Sequence, residues 1–161
     1  MAKVIHFRPD KCTSCKRCET ACSHKYFNVF TSFYSKIKCV AFDEEHLYYP
    51  ATCFQCDNPP CLPVCPTEAI TKDPETGIVR IDEEKCTGCG ACMEECPVKH
   101  IFPYDEFGHA IKCDYCNGNP ECVLFCRDRA IEWREITPEE KTEREKLFQN
   151  LGDKLREVKE L

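Results

Sequence analysis

Short apolar runs, separated by cysteines and turn residues, predict small strands and short helices along most of this chain. Residues 4–7 and 78–81 have the pattern of strands, and each run leads into a cysteine-rich segment. Residues 73–77, with the sequence Asp-Pro-Glu-Thr-Gly, predict the turn of a hairpin. Residues 105–109 predict a corresponding turn later in the chain.

The pattern changes after residue 136, where apolar positions follow helical spacing. Thr137 and Glu140 have the spacing of a capping box, with Pro138 at the first helical position. The apolar stripe of this predicted helix consists of Leu147, Leu151, Leu155 and Val158. Two uses are open for it: docking on the rest of the chain, or contact with a partner.

Composition shows that this chain cannot rely on an ordinary apolar core. The chain has 161 residues, enough for one domain or two small ones, and 42% of them count as hydrophobic. That share includes 17 cysteines, and without them it falls to roughly 32%, which is low for a packed core. Metal–thiolate bonds are the expected source of the missing stability.

The cysteine count is odd and the spacings are close, which favours metal ligation over a disulfide scaffold. No signal-peptide core, twin-arginine pair or membrane-spanning run is visible, so we predict a cytoplasmic protein without a membrane span of its own. The formal charge of −6 makes nucleic acid an unexpected partner.

Sixteen of the cysteines form four quartets, and Cys39 remains outside them. The quartets are Cys12, Cys15, Cys18 and Cys22; Cys53, Cys56, Cys61 and Cys65; Cys86, Cys89, Cys92 and Cys96; and Cys113, Cys116, Cys122 and Cys126. Cys39 alternates with Ile37 and Ala41 in a predicted strand, so we expect it to be a buried free thiol and not a ligand.

Quartets one and three have the spacing C-x2-C-x2-C-x3-C, which is typical of bacterial-type [4Fe–4S] loops. Three thiolates two residues apart can surround one face of a cubane, while a tetrahedral zinc site normally uses two separate pairs. Quartets two and four have longer gaps before the third cysteine, filled with turn residues. A zinc-stabilised or redox-sensing interaction protein is the alternative from a different class.

The chain also contains an internal repeat. Residues 10–15 match residues 84–89, and quartet two matches quartet four at offsets of 60 to 61 residues. The residue five places after each fourth cysteine is large and apolar; these residues are Phe27, Ile70, Ile101 and Ile131. We expect them to shield clusters from water and to begin strands.

The region between Cys22 and Cys53, residues 23–52, is about fourteen residues longer than the corresponding region of the second half. It holds 8 of the 17 aromatic residues, beginning with Tyr26 and Phe27. Two interpretations are open: a docking surface for a catalytic subunit, or a supplementary core that packs against the cluster loops.

The four quartets in this order resemble the four-cluster ferredoxin subunits of DMSO reductases, formate dehydrogenases, some hydrogenases and tungsten aldehyde oxidoreductases. The resemblance covers residues 3–133 and implies an α+β, duplicated bacterial-ferredoxin-like fold. Residues 1–135 would form the four-cluster domain, with repeats at about 3–72 and 77–133, and residues 136–161 a C-terminal amphipathic helix.

In that family the fourth cysteine of each quartet is exchanged with another quartet. The implied ligand sets for four [4Fe–4S] clusters are Cys12, Cys15, Cys18 and Cys126; Cys113, Cys116, Cys122 and Cys22; Cys53, Cys56, Cys61 and Cys96; and Cys86, Cys89, Cys92 and Cys65. All sixteen are cysteine, which gives no indication of a histidine ligand.

No phosphate-binding loop, acid–base pair or activated nucleophile is present, so we predict electron transfer and no catalysis by this chain. The resemblance implies a large catalytic partner. The first expectation is a soluble tungsten or molybdenum enzyme that oxidises an aldehyde or formate. A soluble ferredoxin or another redox subunit is a further expected partner. The alternatives are a hydrogenase subunit and a free-standing polyferredoxin.

Overall fold

The computed structural model describes residues 3–42, 47–104, 106 and 108–157, with side chains for all of these except Tyr104 and residues 148–157. The strands in this part of the chain are β1 (Val4–Phe7), β2 (Ile37–Phe42), β3 (Leu47–Thr52), β4 (Ile70–Lys72), β5 (Val79–Ile81), β6 (Ile101–Tyr104), β7 (His109–Lys112) and β8 (Ile131–Arg134). The α-helices are α1 (Arg17–Phe27), α2 (Ala91–Glu94), α3 (Glu121–Leu124) and α4 (Pro138–Glu157). These elements form an α+β fold, as expected.

The strands pair in antiparallel two-stranded sheets: β1 with β8, β2 with β3, β4 with β5, and β6 with β7. Three of these sheets are hairpins, whereas β1 and β8 are far apart in sequence, with Val4 opposite Arg134 and Phe7 opposite Ile131. Two-stranded sheets of this length are marginal in isolation. The fold therefore needs stabilising bonds besides these ladders.

The chain divides into two compact units, each made from two separate stretches. Unit 1 is Met1–Cys53 with Cys113–Glu135, and unit 2 is Phe54–Lys112 with Ile136–Leu161. Buried apolar residues of unit 1 include Ile5, Phe7, Ile37, Tyr49, Tyr115 and Ile131, and those of unit 2 include Ile70, Val79, Val98, Ile101 and Ile111. Unit 1 thus contains the whole of quartets one and four, and unit 2 the whole of quartet three.

Both predicted hairpins are present. Asp73 begins the first turn, and its carboxylate accepts hydrogen bonds from the N–H groups of Glu75 (2.9 Å) and Thr76 (2.8 Å). Strand β5 begins at Val79, one residue later than the pattern predicted. The second hairpin joins β6 to β7, and residues 105 and 107 of its turn lie outside the described residues.

Three of the four apolar residues that follow the fourth cysteines begin strands as predicted. Ile70, Ile101 and Ile131 are at most 4% exposed. The prediction of a strand start is wrong for Phe27, which is the last residue of α1 and packs against the ring of Tyr34 at 5.3 Å. The additional segment of the first half continues α1 past Cys22, so the helix has 11 residues, against four for α2 and α3.

The capping box of α4 is confirmed. The N–H of Glu140 donates to the Thr137 hydroxyl (3.3 Å), and the N–H of Thr137 donates to the Glu140 carboxylate (2.9 Å). Within unit 2, Arg144 donates to the carbonyl oxygen of Phe54 (2.7 Å), and its guanidinium lies 4.8 Å from that ring's centroid. The first part of α4 therefore docks on unit 2, while the predicted stripe beyond Leu147 lies outside the described side chains.

Candidate metal centres

Each quartet begins in a loop with the same backbone turn. The second residue between the first and second cysteines has a positive φ in all four loops: Ser14 (55°), Gln55 (53°), Gly88 (66°) and Tyr115 (56°). Left-handed residues in such loops turn successive backbone N–H groups towards an anionic centre. Gly88 is also needed for space, because a Cβ there would lie 2.9 Å from the carbonyl oxygen of Gly108.

One cavity of unit 1 is lined by four cysteines from two distant quartets. Cys12, Cys15 and Cys18 of quartet one line it together with Cys126 of quartet four. Ile131, five residues after Cys126, lines the same cavity. The apolar side chain predicted to shield a cluster is therefore present beside these thiols.

The remaining cysteines of quartets one and four also lie close together in unit 1. Burial raises the pKa of Cys122, and the neighbouring Cys113, Cys22 and Cys116 raise it further. The pKa of Cys22 is likewise raised, by burial and then by Cys116, against backbone and side-chain hydrogen bonds that lower it. Cys22 of α1 is thus an electrostatic neighbour of the first three cysteines of quartet four.

In unit 2, Cys92 has the neighbours that the resemblance implies. Burial raises its pKa, and Cys86, Cys89 and Cys65 raise it in addition. For the last set, Cys53 ends the first stretch of unit 1, whereas Cys56, Cys61 and Cys96 belong to unit 2. The grouping of all four sets stays a prediction.

Backbone N–H groups point at several of the cysteine sulfurs. The donor–acceptor pairs are Lys36 to Cys22 (3.3 Å), Ala69 to Cys65 (3.3 Å), Ala110 to Cys86 (3.4 Å), Tyr115 to Cys113 (3.4 Å) and Ala130 to Cys126 (3.2 Å). Hydrogen bonds to ligand sulfur stabilise the more negative state of an iron–sulfur centre and raise its potential. The same contacts hold each sulfur in a fixed orientation.

The donor set fits a polynuclear thiolate-bound centre. Burial raises the pKa of Cys113 to about 12, and it raises the pKa of Cys18 well above the usual range. Such thiols become thiolates only when a cation compensates the charge, which bound iron supplies. Among the described residues, no group of three or more His, Cys, Asp or Glu side chains is arranged to hold a single metal ion.

Cys39 is not the buried thiol that its strand position predicted. The strand is confirmed as β2, but Cys39 is half-buried and lines the cavity of Cys12, Cys15, Cys18 and Cys126. Burial and the nearby Cys12 raise its pKa to about 11, against a hydrogen bond to Ser14 that lowers it. Alternation along a strand shows which residues share a face, but it cannot show what that face contacts.

Sequence reasoning also missed a buried lysine, Lys36, whose backbone N–H donates to the sulfur of Cys22. The Lys36 ammonium lies 3.3 Å from the ring centroid of Tyr26, and the Tyr26 hydroxyl donates to the carboxylate of Asp114. Lys36 is only 6% exposed. No periodic signal distinguishes this buried lysine from the many exposed ones.

Comparisons with known proteins agree with this site. A model described as a 4Fe-4S dicluster domain matches residues 44–136, and a 4Fe-4S binding domain model matches residues 4–30. The chain therefore belongs to the 4Fe-4S dicluster domain family. The predicted [4Fe–4S] cofactors are confirmed, and the four quartets provide for four of them.

Two relatives are named as a polyferredoxin-like subunit and as a ferredoxin. The polyferredoxin-like subunit of an aliphatic sulfonate oxidoreductase from Pyrococcus furiosus is 39% identical over 124 residues, which cover 77% of this chain and 71% of the relative. An uncharacterized ferredoxin from Methanocaldococcus jannaschii is 33% identical over 165 residues, covering 96% and 97%. A chain of the active-site complex BamBC of benzoyl coenzyme A reductase has a TM-score of 0.46 at 23% identity, covering 98% and 96%.

The family models and the Pyrococcus furiosus relative confirm the prediction of a ferredoxin-type, non-catalytic electron-transfer protein, and they favour iron–sulfur centres over the zinc alternative. In the part of the chain that the structure describes, no helix is both long enough and apolar enough to cross a membrane.

Proposed function

We propose that this chain is the iron–sulfur subunit of a multisubunit oxidoreductase and carries electrons between its catalytic partner and another redox protein. The proposal rests on one observation, the arrangement of sixteen cysteines in four quartets. It is supported by the Pyrococcus furiosus relative, which is named as a subunit of an oxidoreductase. When bound, each cluster accepts and releases one electron.

For the ligands we propose the four exchanged sets: Cys12, Cys15, Cys18 and Cys126; Cys113, Cys116, Cys122 and Cys22; Cys53, Cys56, Cys61 and Cys96; and Cys86, Cys89, Cys92 and Cys65. The cavity shared by Cys12, Cys15, Cys18 and Cys126 supports the first set. The mutual effects on pKa among Cys22, Cys113, Cys116 and Cys122 support the second. With this exchange, the two repeats form one duplicated fold.

For the partner we propose a tungsten or molybdenum enzyme that oxidises an aldehyde or formate, on the resemblance of the quartet order to subunits of that class. A reducing compartment such as the cytoplasm suits sixteen thiolate ligands.

The first test is elemental analysis of the native protein, isolated without oxygen together with its co-purifying chains. We expect about sixteen irons per chain, with tungsten or molybdenum in a larger chain that co-elutes.

Other outcomes of that analysis would change the proposal in defined ways. Nickel in the co-eluting chain would replace the proposed partner by a hydrogenase. About sixteen irons without any co-eluting chain would favour a free-standing polyferredoxin. Zinc in place of iron would contradict the central assignment.

The partner's docking site is proposed on unit 1, beside an exposed ligand cysteine. The aromatic residues of segment 23–52 support both interpretations. Tyr49 is 1% exposed, as a supplementary core requires, while Phe30 is 79% exposed, as a docking surface requires. Phe30 lines a groove together with Phe125 and Cys15. Exposed apolar patches of this kind mark contact surfaces, and a catalytic subunit seated here would lie against a ligand of the first proposed cluster.

Replacing both Phe30 and Phe125 by serine is expected to lower the yield of the co-purified catalytic subunit about tenfold or more, because large buried aromatic contacts dominate interface energy. Iron content should stay unchanged, since neither residue is a ligand. Leu62→Ser is the matched control, since Leu62 is an exposed apolar residue of unit 2. An unchanged yield for the double variant would exclude this groove as the docking site.

A further inference from the structure

Cys39 places a fifth thiol beside the first proposed cluster. Its Sγ lies 3.8 Å from the Sγ of Cys12 and 3.6 Å from the hydroxyl oxygen of Ser14. It lines the same cavity as the four cysteines of that set. Both distances are within the range of hydrogen bonds that involve sulfur.

The position of Cys39 is held by contacts on both sides of β2. Its backbone N–H donates to the carboxylate of Glu19 (2.7 Å), which is 3% exposed on α1. Across the sheet, Cys39 is opposite Pro50 of β3, and Pro50 also lines the cavity. Strand β2 is therefore fixed to the helix that carries Cys18 and to the wall of the cavity.

Only one of the two sulfurs can donate once metal is bound. A ligand cysteine is a thiolate and has no proton to give, so the S–H of Cys39 is the donor and the sulfur of Cys12 the acceptor. In the metal-free chain the S–H of Cys39 donates to the Ser14 hydroxyl oxygen. A Cys12 thiolate is the stronger acceptor, so the proton turns to it when metal is bound, and the Ser14 hydroxyl, which can donate as well as accept, then donates to the sulfur of Cys39.

We propose that Cys39 is a positioning residue whose S–H donates a hydrogen bond to the ligand sulfur of Cys12 and thereby raises the reduction potential of the cluster held by Cys12, Cys15, Cys18 and Cys126. This inference rests on the ligand set proposed above. A hydrogen bond to a ligand sulfur withdraws negative charge, and the reduced state, which is the more negative one, benefits most.

The second half of the chain provides an internal comparison. Cys86 corresponds to Cys12 at the offset of 74 residues, and it accepts a hydrogen bond from the backbone N–H of Ala110 on β7 (3.4 Å). In both units a hairpin strand thus supplies a hydrogen-bond donor to the first cysteine of a quartet with the spacing C-x2-C-x2-C-x3-C. In unit 1 that donor is a side chain, which substitution can remove without changing the backbone.

The test is a redox titration of the full chain, monitored by electron paramagnetic resonance, on the wild type, Cys39→Ala and Cys39→Ser. In Cys39→Ala the iron content should stay at about sixteen. The reduction potential of a single cluster should fall by ~28 mV. This shift corresponds to about a threefold lower ratio of reduced to oxidised cluster at a fixed potential. Cys39→Ser keeps a donor and should restore the wild-type couple or exceed it.

Ala41→Ser, an exposed change on the same strand, controls for a general disturbance of the hairpin and should leave all couples unchanged. Loss of about four irons in Cys39→Ala would overturn the proposal by making Cys39 a ligand. Unchanged couples with full iron would overturn it by excluding the hydrogen bond. The proposed subunit role is tested by different measurements, the co-purification and the metal content of the wild type. A failure of that role can therefore be distinguished from a failure of the proposal for Cys39.

Discussion

The double variant Cys12→Ala with Cys126→Ala is expected to lose no more iron than either single variant, about four of about sixteen irons. The two residues are 114 positions apart in sequence, yet they line one cavity of unit 1. If they bind the same cluster, the second substitution removes a ligand from a cluster that is already lost. Substitutions at one shared site are non-additive, while those at independent sites add.

The matched double variant is Cys113→Ala with Cys126→Ala, two cysteines of the same quartet. Exchange of the fourth cysteine assigns them to different clusters, so this pair should lose about eight irons. Iron and acid-labile sulfide per chain are measured after anaerobic purification, with far-UV circular dichroism to check folding. The opposite pattern, with eight irons lost by the first pair and four by the second, would mean that each quartet keeps its own fourth cysteine.

Complete removal of iron is expected to abolish the cooperative unfolding transition and most of the regular secondary structure. The four sheets of the described residues have two strands each, and sheets of this size are not stable alone. Ten non-glycine residues of the described chain have a positive φ, and many of these lie beside ligand cysteines. Each such residue costs about 1–2 kcal/mol, and the surroundings must maintain it.

The measurement is thermal unfolding, followed by circular dichroism, before and after treatment with an iron chelator and a reductant. Treatment with the reductant alone is the control, because it leaves the metal in place. An iron-free chain that retains the wild-type melting temperature would show that side-chain packing alone stabilises the fold. That result would contradict the argument that the share of apolar residues is too low for this.

The return of iron should depend on pH in a defined direction. In the unfolded, iron-free chain the cysteine thiols have their ordinary pKa of about 8.5, so most of them are protonated near neutral pH and must release their protons when iron binds. Burial on refolding raises the pKa of Cys113 and of Cys122 further, which disfavours the thiolates until iron is in place. Reconstitution from ferrous iron and sulfide is therefore expected to be more complete at about pH 8.5 than at about pH 6.5.

Local chemistry could be predicted from the sequence because its physical determinants lie within a few residues. Asp73 and Gly77 form the turn that their residue types predict, and Thr137 and Glu140 form a capping box at fixed spacing. The prediction failed for Phe27, because the length of α1 depends on the segment that follows it. It failed for the burial of Cys39, because a strand pattern contains no information about the opposite surface.

The sequence by itself determined the kind of cofactor, because three cysteines within seven residues can surround only one compact metal group, whatever the rest of the chain does. Only the tertiary structure decided which quartets share a unit. Pairing of β1 with β8 brings Val4 opposite Arg134, so quartets one and four lie in one unit and Cys126 reaches the cavity of Cys12. Such long-range pairing depends on surfaces that meet only after folding, and no local spacing encodes it.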